Sequence, residues 1–307
     1  MLDIVGKRYW FFGFSLLIMI PGLVALGLWG LPLAIDFTGG SKLEIEIPES
    51  IGVTTSGIDE ILAEEGFLDN IIQLSSENVV IIRTKTMSDS VKGKVIASLS
   101  ERFESQVELL DFVSVGPVIG REIALRAIQA VGIAALGILA YITYAFRGVK
   151  HAFRYGVCAI IAVLHDVSVV IGVAAILGHF LGWEVDALFL TAVLTVIGFS
   201  VHDSIVVFDR IRENLGRYRR ASYESVVNHS IVQTLDRSIN TQLTALFTLL
   251  ALALFGGSSL FHFMVTLIIG ILSGTYSSIF NAAPILVIWE NREWRHWLRT
   301  NTIPAGN

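Results

Sequence analysis

The chain has 307 residues, of which 53% are apolar and 16% charged, with a mean hydropathy of +0.68. Soluble domains run nearer a quarter charged, so the composition excludes a soluble globular fold and indicates an integral membrane protein. A single cysteine, Cys158, excludes a disulfide framework or a cysteine metal site, and the acidic excess of 27 over 22 becomes informative only by region.

The first apolar run, Tyr9 to Ile35, is uncharged over 27 residues, enough to span a bilayer with some tilt. Lys7 and Arg8 precede it, but it is too long for a signal-peptide core and lacks a small-x-small cleavage site, so it is expected to stay in the membrane. Pro21-Gly22 should bend it and Pro32 should mark its outer end.

Residues 36–120 differ in kind, with 15 acidic and 6 basic residues, a net charge of −9, and no membrane-length apolar run. Lys42 to Ile47 alternates as a strand, and Thr54 to Gly66 has helical spacing at Ile58, Ile61 and Leu62. Ile71 to Leu74 and Val79 to Thr84 read as short strands joined at residues 75–78. Ser88 to Phe103 is a second amphipathic helix, and Val107 to Val115 a last strand, ended by Gly116-Pro117. The order βαββαβ predicts a small ferredoxin-like, split βαβ α+β domain. Asp36-Phe37-Thr38-Gly39-Gly40 enters it; paired glycines permit positive φ and close backbone approach, or simply a tight turn.

Five further spans follow: Ala127 to Phe146, Tyr155 to Trp183, Ala187 to Phe208, Ser238 to Leu260, and Phe263 to Trp289. The last carries Gly270-x-x-x-Gly274 and several serines suited to close helix contact. The expected fold is therefore an α-helical polytopic membrane protein with six transmembrane helices and the α+β domain between helices one and two. Its parts are 1–35 (N-terminus and first span), 36–120 (external domain), 121–290 (five-helix bundle) and 291–307 (tail).

Lysine and arginine set the orientation. Lys7, Arg8, Arg147, Lys150, Arg154, Arg210, Arg212, Arg217, Arg219, Arg220, Arg292, Arg295 and Arg299 fall on one side. The short loops at 179–186 and 256–262 have neither residue. Both termini are thus expected in the cytoplasm, with residues 36–120 outside. Trp294 and Trp297 beside the tail arginines read as an interfacial anchor, and nothing there points to nucleic acid.

The chemistry concentrates at Gly198 to Asn214, GFSVHDSIVVFDRIREN. It places Asp203 inside an apolar span, where a carboxylate costs roughly 2.5–3.5 kcal/mol on insertion scales. Such residues mark ion or proton pathways, or are structural carboxylates pinned by neighbouring hydroxyls. At 1.5 Å per residue Asp203 lies about 24 Å below the outer end of its span. If the fifth helix starts near Ile231, Arg237 falls at a similar depth, so the two could pair and a moving arginine could load and release a proton. A static ion pair that fixes helix packing is the alternative. His165-Asp166 and His202-Asp203 repeat a His-Asp doublet on neighbouring spans, but HExxH and any three-ligand metal spacing are missing. His202 could relay protons, or hydrogen-bond a neighbouring helix. Asp166 could belong to the relay or to packing. The polar stretch Arg210 to Arg237 has helical spacing and reads as a solvated face or a partner contact.

The motifs resemble the SecF family of protein-export membrane subunits, relatives of the RND proton-driven transporters. The matching residues are Asp36, Phe37, Thr38, Gly39 and Gly40; Gly198-Phe199-Ser200; and Asp203 through Phe208 with Asp209, Arg210, Ile211, Arg212, Glu213 and Asn214. Gln233 to Ser238 and Gly274 to Phe280 match as well, in order, so the likeness covers nearly the whole chain. The family usually has tyrosine at position 199 and asparagine at 202, where this chain has Phe199 and His202. His202 sets a second titratable group beside Asp203.

The resemblance implies a non-enzymatic subunit without cofactor or bound metal, acting late in Sec-dependent export in the bacterial inner membrane. It implies a separate SecD chain, the SecYEG translocon, YajC, YidC and a translocating preprotein as partners. Asp203 and Arg237 match the family residues tied to proton coupling, with His202 and Asp166 as secondary candidates. An independent RND-like transporter of small molecules or lipids is the competing expectation. An intramembrane hydrolase would need a nucleophile or a three-ligand metal site, and a passive scaffold would carry no proton flux.

Overall fold

The structure, a computed structural model, describes residues 2–47, 55–68, 70–74 and 78–293, without the side chains of 258 and 259. The tail carrying Trp294, Arg295, Trp297 and Arg299 lies outside the described residues, as does the joint at 75–77. In chain order the elements are α1 (Arg8–Trp29), α2 (Ile35–Thr38), β1 (Gly40–Glu46), α3 (Thr55–Glu64), β2 (Ile71–Leu74), β3 (Val79–Thr84), α4 (Asp89–Arg102) and β4 (Glu108–Val115). Then come α5 (Pro117–Ala145), α6 (Ala152–Leu181), α7 (Ala187–Arg217), α8 (Tyr223–Phe255), α9 (Ser258–Ser277), a π-turn (Ser278–Ala282) and α10 (Ala283–Asn291). They form two compact units, Leu33–Gln129 and the remainder.

In the first unit, alternation along β1 turns Leu43 and Ile45 inward while Lys42, Glu44 and Glu46 face out. Ile58, Ile61 and Leu62 of α3 and Val95 and Leu99 of α4 cover that inner face. Each fully buried Leu or Ile contributes about 1.5–3 kcal/mol relative to exposure. The sheet order is β2-β3-β1-β4, every neighbour antiparallel. The six elements start and stop within two residues of the sequence expectation.

At the base of this unit, Gly39 and Gly40 have φ of 75° and 133°. A Cβ on Gly39 would lie 2.6 Å from Pro117 Cα, and one on Gly40 2.7 Å from Thr84 O. Both demands, positive φ and close approach, hold at once, so the FTGG stretch is more than a tight turn.

Among the described residues, six helices are long and apolar enough to cross a membrane, the sixth running from Leu260 to Asn291. α6, α7 and α9 form the centre of the second unit, each with a continuous buried face. Gly270 and Gly274 let α9 approach α7: a Cβ on Gly270 would meet Val196 Cγ2 at 2.1 Å. Pro21 lies inside α1 without ending it. Pro284, which has no N–H to donate, stands just after the π-turn, where the regular ladder is broken.

One boundary differs substantially from the sequence expectation. α7 continues to Arg217 and α8 begins at Tyr223, capped by Ser222 Oγ accepting from Ser225 N (3.2 Å). The stretch read as a polar face before the fifth span is thus mostly two helix ends. Asn214 Nδ2 donates to Ser230 Oγ and Gln233 Oε1, both at 2.9 Å, and Arg210 Nε donates to Gln233 Oε1 at 2.8 Å. Arg210 pairs with Glu213 (2.6 Å) and Arg212 with Asp209 (2.5 Å). The motif from Asp209 to Asn214 therefore staples α7 to α8.

Candidate functional site

Two aspartates are buried in the helical unit, and their surroundings are opposite. Asp166 of α6 has no exposed surface. Its Oδ2 accepts from Ser200 Oγ of α7 (2.6 Å) and Ser277 Oγ of α9 (2.7 Å). Its Oδ1 accepts from Ser273 Oγ of α9 (2.7 Å), and His165 Nδ1 lies 3.0 Å from the same oxygen. Ser273 and Ser277 are one turn apart on one face of α9, and Gly274 between them keeps α7 close. Three helices thus converge on one carboxylate.

Asp203 of α7 is 2% exposed. Its Oδ2 accepts a short hydrogen bond from Gln242 Nε2 of α8, and His202 Nδ1 stands 3.8 Å from Oδ1. Gln242 Oε1 and Ser238 Oγ, one turn apart on α8, are both buried without a hydrogen-bond partner among the described residues. Ser278 Oγ donates to Ser200 O (3.0 Å) and pairs with Ser204 Oγ (3.0 Å), directly after Asp203. The π-turn starts at Ser278, and its Asn281 is held by Ser15 of α1 (2.8 Å).

The expected pairing of Asp203 with Arg237 is not formed. Arg237 and Asp236 are exposed, and neither makes an ion pair among the described residues. The buried stripe of α8 runs through Ile231, Thr234, Ser238 and Gln242 at helical spacing, and Arg237 falls one residue off it. The hydrogen bond from Gln242 shows that Gln242 is the residue level with Asp203, five positions or about 7.5 Å beyond Arg237 on α8. His202 is also turned outward, its side chain 61% exposed.

Sequence reasoning located both aspartates and missed the neutral groups around them: Gln242, Ser200, Ser273, Ser277 and Ser278. Their signal was weak but present, as polar residues spaced three or four apart on otherwise apolar spans. No group of three His, Cys, Asp or Glu among the described residues has metal-binding geometry.

Comparison with known proteins gives consistent matches. Residues 95–292 fit the family model described as protein export membrane protein SecD/SecF, C-terminal. The chain is 53% identical over its full length to all of the protein translocase subunit SecF of Anaerolinea thermophila. It is 52% identical to that of Thermobaculum terrenum, covering 96% of each chain. It is 33% identical to the SecDF subunit of Bacillus subtilis, covering 95% of this chain but 38% of that one. It is similar to the crystal structure of SecDF from Thermus thermophilus, described as a translocon-associated membrane protein, with a TM-score of 0.81 and 33% identity. That match covers 95% of this chain and 39% of the other, so the chain spans about two fifths of the solved protein. SecDF in a super-membrane-facing form matches with a TM-score of 0.68 and 32% identity, over 97% of this chain and 40% of that one.

Proposed function

The chain belongs to the SecD/SecF protein-export family and is a subunit of the Sec pathway; we propose that a proton gradient drives it. Asp203 is the proton carrier in this reading. The observation that carries it is the contrast between the two carboxylates. Asp166 has an acceptor bond on every side, whereas Asp203 has one amide donor and an unpartnered amide oxygen beside it. Gln242 can serve both charge states: its NH₂ donates to the ionised carboxylate, and after a half-turn of the amide its oxygen accepts from the protonated one. A change of charge at Asp203 thereby becomes a change in the α7–α8 contact. One charge crossing 100 mV supplies roughly 2.3 kcal/mol, enough to shift a two-state equilibrium about fifty-fold.

Arg237 takes the second coupling role, with His202, next to Asp203, as a secondary candidate and Asp166 as the fixed anchor. Arg237, His202, Asn240, Thr241 and Thr244 are exposed on two helices that are long and apolar enough to cross a membrane. Bilayer interiors are costly for such groups, so a second membrane chain covers this face. SecD is that chain in our reading, supported by SecDF relatives of which this chain matches two fifths.

The unit formed by β1–β4, α3 and α4 is ferredoxin-like, a reading supported by its βαββαβ order and antiparallel pairing. The lysine and arginine asymmetry supports cytoplasmic termini, residues 36–120 in the periplasm, and an inner-membrane location. With SecYEG, YajC and YidC, the complex would act non-enzymatically on late stages of preprotein translocation. The test is export of a reporter preprotein into inverted vesicles, with and without a proton gradient. Asp203→Asn, co-expressed with SecD, should assemble normally and lose the gradient's stimulation. Stimulation that survives refutes the assignment.

A further inference from the structure

We infer that the free edge of β4 docks an extended segment of an exported polypeptide bearing basic residues at alternate positions. The inference rests on the export role and not on the proton scheme. β4 ends the sheet order, and among the described residues β1 is its one strand partner. It is the longest strand, eight residues against four in β2 at the opposite edge. Free edges present unpaired N–H and C=O groups, and folded proteins guard them with lysine, proline or bulges. β4, ELLDFVSV, contains neither lysine nor proline. A single bulge falls at Leu110, leaving Asp111 to Val115 as a regular five-residue edge. Leu110 and Val113 are 45% and 39% exposed.

Charge selects the occupant. On the outer face, Glu44 stands directly opposite Asp111, and Glu46 opposite Glu108. Like charges directly across a sheet are destabilising. Lys42 reaches Glu44 at 3.5 Å, while Lys92 is taken by Asp89 at 2.7 Å and by the Phe112 ring. The surrounding residues 36–120 carry a net charge of −9. A strand added along β4 would set its basic residues on the outer face, level with Asp111 and Val113, and its apolar ones on the opposite face, level with Phe112, because side chains alternate faces. A polypeptide leaving a translocon is extended and has its backbone groups free, which is what such an edge accepts.

The experiment uses the full chain in nanodiscs and a fluorescent twelve-residue peptide of alternating valine and lysine, with a valine–glutamate peptide as control. Saturable binding of the basic peptide is expected, weakened about tenfold by Asp111→Lys, which also relieves the contact with Glu44 and so keeps the fold. The acidic peptide should gain on that variant. Val113→Cys should form a disulfide with a cysteine at the peptide's centre. Equal binding of the basic peptide to wild type and Asp111→Lys overturns the inference. So does a Val113→Cys crosslink to a second copy of this chain or to a partner subunit in place of the peptide. No gradient is present, so failure here leaves the Asp203 scheme standing, and failure of that scheme leaves this edge standing.

Discussion

Removing the Asp166 carboxylate is the most demanding test of how the helical unit is held together. Asp166→Ala deletes the acceptor of three serine hydroxyls on two helices and the neighbour of His165 Nδ1. A hydrogen bond to a charged acceptor contributes about 1.5–3 kcal/mol. The full set is not lost, because serines in helices re-bond to their own backbone; Ser277 Oγ already reaches Gly274 O at 3.2 Å. Breaking one member of a buried charged network typically costs about 3–5 kcal/mol, and that is the expected loss here. Each single serine deletion, Ser200→Ala, Ser273→Ala or Ser277→Ala, leaves the carboxylate two other hydroxyls and should cost about 1–2 kcal/mol.

The assay is equilibrium unfolding of the full chain in mixed micelles by SDS titration, followed by tryptophan fluorescence. A double-mutant cycle supplies the sharper criterion: Asp166→Ala with Ser277→Ala should cost clearly less than the sum of the two, because they share one interaction. Asp203→Asn, where an amide–amide contact replaces a single amide–carboxyl one, should change stability by under about 1 kcal/mol. If Asp166→Ala is no more damaging than Asp203→Asn, or if the cycle is additive, the serine cradle does not hold α6, α7 and α9 together and the contrast between the carboxylates fails.

Two further outcomes follow from other parts of the chain. Gly39→Ala puts a Cβ 2.6 Å from Pro117 Cα at a φ of 75°, so it should destabilise the β-sheet unit by more than the roughly 1–3 kcal/mol of backbone strain alone. Limited proteolysis should detect it as faster cleavage within residues 36–120, and an unchanged pattern would refute the close-packed base. At the other end, Glu293 takes hydrogen bonds from Arg8 Nη2 (2.8 Å) and Tyr9 Oη (2.9 Å). Burial tends to raise this carboxyl, but the bonds from Arg8 and Tyr9 outweigh it and hold it below the usual glutamate range. A carboxyl held low in the folded state adds stability above its unfolded pKa, and that stability disappears as pH falls through the folded value. The N-terminal segment should therefore loosen below about pH 4.3, seen with an environment-sensitive label at Leu2→Cys. Arg8→Gln should remove that acid step.

Much of the architecture was legible because it is written locally. Burial in β1 alternates every residue, and α3 buries Ile58, Ile61 and Leu62 at helical spacing. Those periods fixed elements to within two residues. The α7–α8 turn was misjudged because charge was taken as the sign of a span's end. Arg210, Arg212 and Arg217 instead sit on a helix that continues to Arg217, their charges met by Asp209 and Glu213 one turn away.

The site was half legible for a different reason. An ionisable residue in an apolar span announces itself by its cost, whereas the neutral residue that meets it does not. His165-Asp166 and His202-Asp203 are the same doublet in sequence, yet one carboxylate sits in a cradle of serines and the other against a single glutamine. What separates them is the register between helices: where Gly274 lets α9 settle on Ser200, and which turn of α8 lies level with Asp203. Counting depth along one helix cannot supply that register, since a five-residue slip of α8 against α7 exchanges Arg237 for Gln242. The same displacement changes the chemistry from an ion pair, which resists protonation, to an amide that can bond either charge state of the acid.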